Sequence, residues 1–191
     1  MGQAQVVSAQ NEAFDSISAG AFIGSTVSGG ELLDSWESKP SLQISLQTPF
    51  YTGILETGMR YSQFTHKPSF QDYSDFQTMF IYLGWGYVFS LNEHFHVGPQ
   101  LRFGTKFFFY EEEKRYPSPG GTWYYAFDTN ESEFAYDLNL RGVYDLNESF
   151  SIYADFSYNR TLTYHPIHLN YISAGIVYTF GSPDWLRRVL K

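Results

Sequence analysis

Side chains suited to acid–base or nucleophilic chemistry are few and scattered. The chain carries five histidines and no cysteine, which removes thiolate metal sites, cysteine nucleophiles and disulfides. His66, His165 and His168 fall close to the ends of patterned segments, with Asp72, Asp75, Ser69 and Thr163 as neighbouring acids and hydroxyls. A lipid-cleaving site needs a hydroxyl nucleophile, a base beside it and an acid that orients the base. No local motif of that kind stands near these residues, such as a histidine next to a strand serine on an apolar face. His165 and His168 alone make a poor metal site, because two imidazoles lack a thiolate or carboxylate set to complete the coordination. The expectation is no catalytic residue, no metal and no cofactor.

A second set of reactive groups is far more regular. Glu56 and Arg60, Arg102 and Lys106, the series Glu133, Asp137 and Arg141, and finally Asp155 each sit on the polar side of an alternating stretch. The clearest stretch is 95–110. There Phe95, Val97, Pro99, Leu101, Phe103, Thr105, Phe107 and Phe109 share one face, and His96, Gly98, Gln100, Arg102, Gly104 and Lys106 share the other. A period of two over such a length is a strand with one apolar and one polar face.

The same period places Phe134, Tyr136, Leu138 and Leu140 against Glu133, Asp137, Asn139 and Arg141, and Phe150, Ile152, Ala154, Phe156 and Tyr158 against Ser151, Asp155, Ser157 and Asn159. Leu42, Ile44 and Leu46 oppose Gln43, Ser45 and Gln47, and Leu55, Thr57, Met59 and Tyr61 oppose Glu56, Gly58, Arg60 and Ser62. With Met79 to Phe89, a weaker first strand near 16–28 and a last one near 169–180, eight strands are predicted and no strong helical segment among them. Their connections alternate in length. The short links are 48–53, 91–94 and 146–149, the last two belonging to a repeat, Leu-Asn-Glu-x-Phe, in which Asn suits a turn. The long links are 29–40, 67–75, 111–130 and 160–168. Such alternation is what an up-and-down barrel with both termini on its short-turn side shows.

Composition agrees. Aromatic residues make up 20% of the chain, more than a soluble domain ordinarily uses, whereas a membrane barrel needs rings for its interfacial girdles. No run approaches the 18 or so apolar residues of a membrane helix. The mean hydropathy of -0.30 fits barrel strands that alternate outward and inward residues. A net charge of -8 argues against nucleic-acid binding, which needs a basic footprint.

The final strand, Ile172, Ala174, Ile176, Tyr178 and Phe180, is apolar at every second position and ends on Tyr-x-Phe. It resembles the sorting signal of bacterial outer-membrane barrels, although here Gly181 to Lys191 follow Phe180. Residues 14–180 as a whole resemble the OmpA/OmpX-type family of eight-stranded outer-membrane barrels, in the form common in Bacteroidota-like bacteria. The resemblance is one of pattern and architecture rather than of a diagnostic motif. It implies an all-β, antiparallel, up-and-down transmembrane barrel in the outer membrane with periplasmic termini. It also implies lipid and lipopolysaccharide around the barrel and recognition of the last strand by the barrel assembly machinery.

Eight strands leave an interior that side chains can fill. Glu56, Arg60, Arg102, Lys106, Glu133, Asp137, Arg141 and Asp155 would then meet in a narrow space where unpaired charge costs several kcal/mol. A closed, salt-bridged lumen with glycines beside the long side chains is expected in preference to a narrow pore.

Outside the barrel, loop 111–130 carries Trp123, Tyr124 and Tyr125, rings that offer contact area at low entropic cost and suit recognition. They suit packing on neighbouring loops equally well. Ser182-Pro183-Asp184 is a helix start, after which Trp185, Leu186, Val189 and Leu190 share a face opposite Arg187, Arg188 and Lys191. This tail could lie on the periplasmic leaflet or dock an envelope protein. The expected organisation is a periplasmic extension at 1–13, the barrel at 14–180 and the amphipathic tail at 181–191. Gly2-Gln3-Ala4 before Gln5 has the small-x-small form that ends a cleaved signal peptide. The favoured function is a small structural or interaction barrel able to serve as a subunit of an envelope complex. Its rivals are an outer-leaflet lipid-modifying enzyme, a narrow pore and a soluble lipocalin-like carrier. The carrier is disfavoured because it would hide its apolar face inside.

Overall fold

The computed structural model describes residues 13–69, 73–111, 114–117, 123–127 and 130–184. Eight long strands run in chain order: β1 (Ser16–Ser28), β2 (Ser41–Phe50), β3 (Gly53–His66), β4 (Phe76–Gly86), β5 (Phe95–Tyr110), β6 (Asn130–Asp145), β7 (Phe150–Thr161) and β8 (Ile167–Gly181). Each pairs antiparallel with its chain neighbour, and β8 pairs with β1 from Ser16↔Gly181 to Ser28↔Asn170, which closes the sheet into a barrel. Closure leaves no long edge strand open to aggregation.

The strand sequences explain the walls. On β2, Ser41, Gln43, Ser45 and Gln47 are buried while Leu42, Ile44 and Leu46 are more than half exposed. The same alternation runs through β5, β6, β7 and β8, where Leu101, Phe103, Leu138, Leu140, Phe156, Ile172 and Ile176 all face out. The barrel is therefore inverted relative to a soluble protein, polar inside and apolar outside. A soluble monomer rarely exposes an apolar patch beyond a few hundred Å², and here the apolar band encircles the molecule. Trp85, Tyr87, Tyr144, Phe150, Tyr178 and Phe180 gather toward the short-turn end, with Trp85 on Tyr87 and Phe150 on Tyr178 at centroid distances of 4.7 and 4.9 Å.

The connections are more structured than the sequence predicted. The link expected at 48–53 tightens to Tyr51 and Thr52, with Tyr51 at φ 51°. The link expected at 160–168 shrinks to five residues, 162–166, because pairing continues out to Thr161↔Ile167. The first long link holds a five-residue helix, α1 (Glu31–Ser35), and a short strand at Trp36–Ser38 that extends the β3 ladder. The 111–130 link carries a separate hairpin in which Lys114–Pro117 pairs with Trp123–Phe127. In each case ladder hydrogen bonds continue where composition alone reads as loop. The N-terminal extension through residue 12 and the tail residues Trp185, Leu186, Val189 and Leu190 lie outside the described residues.

Candidate functional site

Strand periodicity aims the charged residues at the barrel axis. Glu56 and Arg60 lie on one face of β3, Arg102 and Lys106 on β5, Asp137 and Arg141 on β6, and Asp155 on β7; all seven are 3% exposed or less. Arg141 donates from Nε to Asp155 Oδ1 at 2.8 Å and from Nη2 to Asp155 Oδ2 at 2.7 Å, and its Nη1 reaches Glu56 Oε2 at 2.8 Å. Arg102 Nη2 lies 2.9 Å from Asp155 Oδ2 and 3.2 Å from Glu56 Oε1. Arg60 Nη2 donates to Asp137 Oδ1 at 3.0 Å from the far side of the lumen.

Neutral partners complete the network. Tyr82 OH donates to Glu56 Oε1 at 2.8 Å, Gln100 Nε2 donates to Glu56 Oε2, and Asn159 Nδ2 donates to Asp137 Oδ1 at 2.6 Å. Lys106 Nζ bonds the amide oxygen of Asn159 at 2.9 Å rather than a carboxylate. Glu133, its cross-strand neighbour on β6, stands half-buried at the loop end.

Among the described residues, four cations (Arg60, Arg102, Arg141, Lys106) thus share the buried lumen with three carboxylates (Glu56, Asp137, Asp155). Aromatic faces meet the excess of positive charge. The guanidinium of Arg60 lies 3.9 Å from the Tyr171 ring centre, that of Arg141 4.8 Å from Tyr153, and that of Arg102 5.0 Å from Tyr82. A cation over a ring face gains from the ring quadrupole, and more so when water is excluded. Two glycines make the space: a Cβ on Gly58 would sit 2.5 Å from the Tyr82 hydroxyl, and one on Gly84 would sit 2.8 Å from Cγ of Arg102.

Above the network, toward the long loops, the lumen turns apolar. Trp36, Phe64, Phe76, Phe108, Leu169 and Tyr171 form a buried cluster, with Leu32 and Leu33 of α1 packed against it. Phe64 and Phe76 stack at 4.8 Å, and Trp36 meets Phe76 edge-on at 5.5 Å. The indole N–H of Trp36 donates to the Ser74 carbonyl at 3.0 Å, and Lys67 Nζ to the Leu33 carbonyl at 2.6 Å. The first two long loops are thereby tied across the barrel end. This cap escaped the sequence reading, which took inward positions to be polar. The signal was present in unbroken aromatic inward positions such as Phe64, Phe76 and Phe108.

Toward the opposite, short-turn end the described residues line a cavity of about 390 Å³, among them Pro49, Ile54, Val88, Ser90, His96, Val143, Asp145, Ser151 and Tyr153. His96 was placed on the polar face of its strand by sequence, but its link to Asp145 spans two turns and has no local signature.

The histidines weighed from sequence are each engaged locally. His66 Nδ1 lies 2.6 Å from Asp75 Oδ1, which also accepts the His66 backbone N–H at 2.7 Å. His168 Nδ1 lies 2.7 Å from the Tyr158 hydroxyl. The His165 carbonyl accepts from the Thr163 hydroxyl, and its ring packs edge-on against Tyr164 at 4.9 Å. Ser69 is exposed, and Asp72 lies outside the described residues. Among the described residues no three metal-ligating side chains converge. Ile172, Ala174, Ile176, Tyr178 and Phe180 all face outward from β8. Trp123, Tyr124 and Tyr125 occupy the second arm of the 111–130 hairpin.

No protein-family model matches the sequence, and no curated protein matches it significantly. Solved structures do. Neisserial surface protein A is similar with a TM-score of 0.64 at 13% identity, over 86% of this chain and 97% of that one. The attachment invasion locus protein Ail of Yersinia pestis follows at 0.51 and 12%, over 87% and 99%. The N-terminal β-barrel domain of Pseudomonas aeruginosa OprF gives 0.50 and 12%, over 88% and 100%. The chain has the fold of a small eight-stranded outer-membrane-type barrel. At these identities the likeness is one of fold.

Proposed function

We propose that this chain is an outer-membrane barrel with a structural or interaction role, its lumen closed, its termini periplasmic and its long loops outside. One observation carries the reading. The barrel exposes a continuous apolar wall while burying an ion-paired core beneath an aromatic cap, an arrangement stable only when hydrocarbon surrounds the wall. Charges paired this closely leave no row of free ligands for a hydrated ion, and the cap covers one end. That favours a closed barrel over the narrow pore. The OmpA/OmpX-type assignment, in its Bacteroidota-like form, belongs to the same proposal, as does assembly through the strand ending at Phe180.

The interaction role rests on the surface outside the membrane. The Trp123–Phe127 strand pairs with Lys114–Pro117 in a sheet separate from the barrel and carries three consecutive aromatic residues, Trp123, Tyr124 and Tyr125, while the tail sequence spaces Trp185, Leu186, Val189 and Leu190 as the apolar side of an amphipathic helix. The fold neighbours include a surface protein and an attachment protein by name, which supports a role for the loops.

The test is reconstitution. Folded in detergent, the protein should show a heat-shifted gel band, and in planar bilayers it should give no stable conductance steps. Steady steps that vanish in Arg60→Gln or Arg102→Gln would replace the closed barrel with a pore, and a stable detergent-free monomer would end the membrane reading.

A further inference from the structure

The two Leu-Asn-Glu-x-Phe turns are built alike. Asn92 Oδ1 accepts the backbone N–H groups of His94 and Phe95, and Asn147 Oδ1 accepts those of Ser149 and Phe150. In both, the residues just outside the repeat face each other across the hairpin and point inward: Ser90 with His96, and Asp145 with Ser151. Equivalent positions thus hold different residues, and the four side chains link into one relay. Ser90 Oγ lies 2.6 Å from His96 Nδ1, His96 Nε2 lies 2.8 Å from Asp145 Oδ2, and Ser151 Oγ donates to Asp145 Oδ1 at 2.6 Å.

The direction of the bonds follows from valence. A carboxylate only accepts, so His96 Nε2 carries the proton that it gives to Asp145. In the neutral ring Nδ1 then holds the lone pair, and Ser90 must donate to it. A hydroxyl donating to an imidazole that an acid orients is the arrangement of an activated nucleophile. Ser90, His96, Asp145 and Ser151 all line the 390 Å³ cavity at the short-turn mouth, whose other walls include Pro49, Ile54, Val88 and Val143. That volume lies within the range of small-ligand pockets, with apolar walls and a few convergent polar groups.

We propose that Ser90, His96 and Asp145 form a serine-type hydrolytic site for carboxylic esters with a small acyl group seated on the Pro49, Ile54, Val88 and Val143 wall. Ser90 Oγ bonds to the ester carbonyl carbon as its proton passes to His96 Nδ1. The tetrahedral adduct expels the alcohol, which takes that proton, and leaves an acyl group on Ser90. Water then attacks the acyl carbonyl, giving one proton to His96 Nδ1, and the acid departs as Ser90 recovers that proton. Asp145 is a positioning residue that holds the ring and its tautomer, and Ser151 fixes Asp145.

The experiment uses full-length protein folded in detergent, with folding of every variant checked by the heat-shifted band. A fluorophosphonate probe should give a covalent adduct that mass spectrometry places on Ser90. Ser90→Ala and His96→Ala should abolish the adduct, whereas His168→Ala at the loop end should not. p-Nitrophenyl butyrate should be hydrolysed, and Asp145→Asn should lower kcat by about 10²-fold or more with little change in KM, in keeping with loss of the correct tautomer. Absence of an adduct on Ser90 in folded protein, or an adduct equally strong in His96→Ala, overturns the proposal. Adduct formation without turnover of the butyrate ester retains the nucleophile and overturns the substrate class. None of these outcomes bears on whether the barrel is closed to ions, which conductance tests separately.

Discussion

Arg141 on β6 and Asp155 on β7 are direct cross-strand partners, and they meet through two parallel contacts, Nε to Oδ1 at 2.8 Å and Nη2 to Oδ2 at 2.7 Å. Two-point pairing of a guanidinium with a carboxylate fixes geometry as well as charge. Asp155 also accepts Arg102 at 2.9 Å, so one carboxylate holds two guanidinium groups from two strands.

Removing that carboxylate should therefore cost more than one ordinary ion pair. Asp155→Ala is expected to destabilise the folded barrel by about 3–5 kcal/mol, the usual penalty for stranding a buried charge. The urea midpoint of the detergent-folded protein measures it. A loss under 1 kcal/mol would mean that water or another group already neutralises both arginines.

The aromatic cap makes a separate prediction. Phe76 touches Trp36, Phe64, Phe108 and Tyr110, and Phe76→Ala should cost about 3–5 kcal/mol through lost burial and a cavity. Because the charged network lies below the cap, this variant should still give no conductance in planar bilayers. Conductance appearing in Phe76→Ala would locate the seal in the cap.

At Gly58 the argument is steric. A Cβ there would lie 2.5 Å from both the Ile44 carbonyl and the Tyr82 hydroxyl, so Gly58→Ala must push Tyr82 away from Glu56. About 1–3 kcal/mol of overpacking is expected. Combining it with Tyr82→Phe should recover only part of this, since the clash with the Ile44 backbone remains.

The outer wall gives the most direct test of its surroundings. Leu138 sits midway along β6 and faces out, 54% exposed. Leu138→Arg should destabilise the protein in lipid bilayers by about 2–4 kcal/mol, the cost of a cation near the bilayer midplane. In aqueous solution an exposed arginine would cost next to nothing, so the size of the effect reports the medium around β6.

Much of this molecule is legible in its sequence. Alternation with period two assigned Leu101 and Phe103 to one face and Arg102 and Lys106 to the other, because successive strand residues point to opposite sides of a sheet. The same logic read Gln43, Ser45 and Gln47 as inward. It failed where polarity and facing part company. Phe22, Phe80 and Tyr153 face inward, since a guanidinium needs a ring face as well as an oxygen, and Phe64, Phe76 and Phe108 face inward to cap the core. A rule that sends apolar residues outward cannot see either group.

What the sequence determines by itself is alternation and order: eight strands, successive residues on opposite sides of each, and where the chain turns. These follow from local geometry, in which each residue's direction depends only on its neighbours in the chain. The tertiary structure decides partnership. Arg60 reaches Asp137 from across the lumen, Lys106 bonds Asn159 although Glu133 is its cross-strand neighbour, and His96 meets Asp145 from a separate turn. Such choices depend on barrel closure, which brings residues dozens of positions apart within 3 Å, and on the length and direction of each side chain once inside.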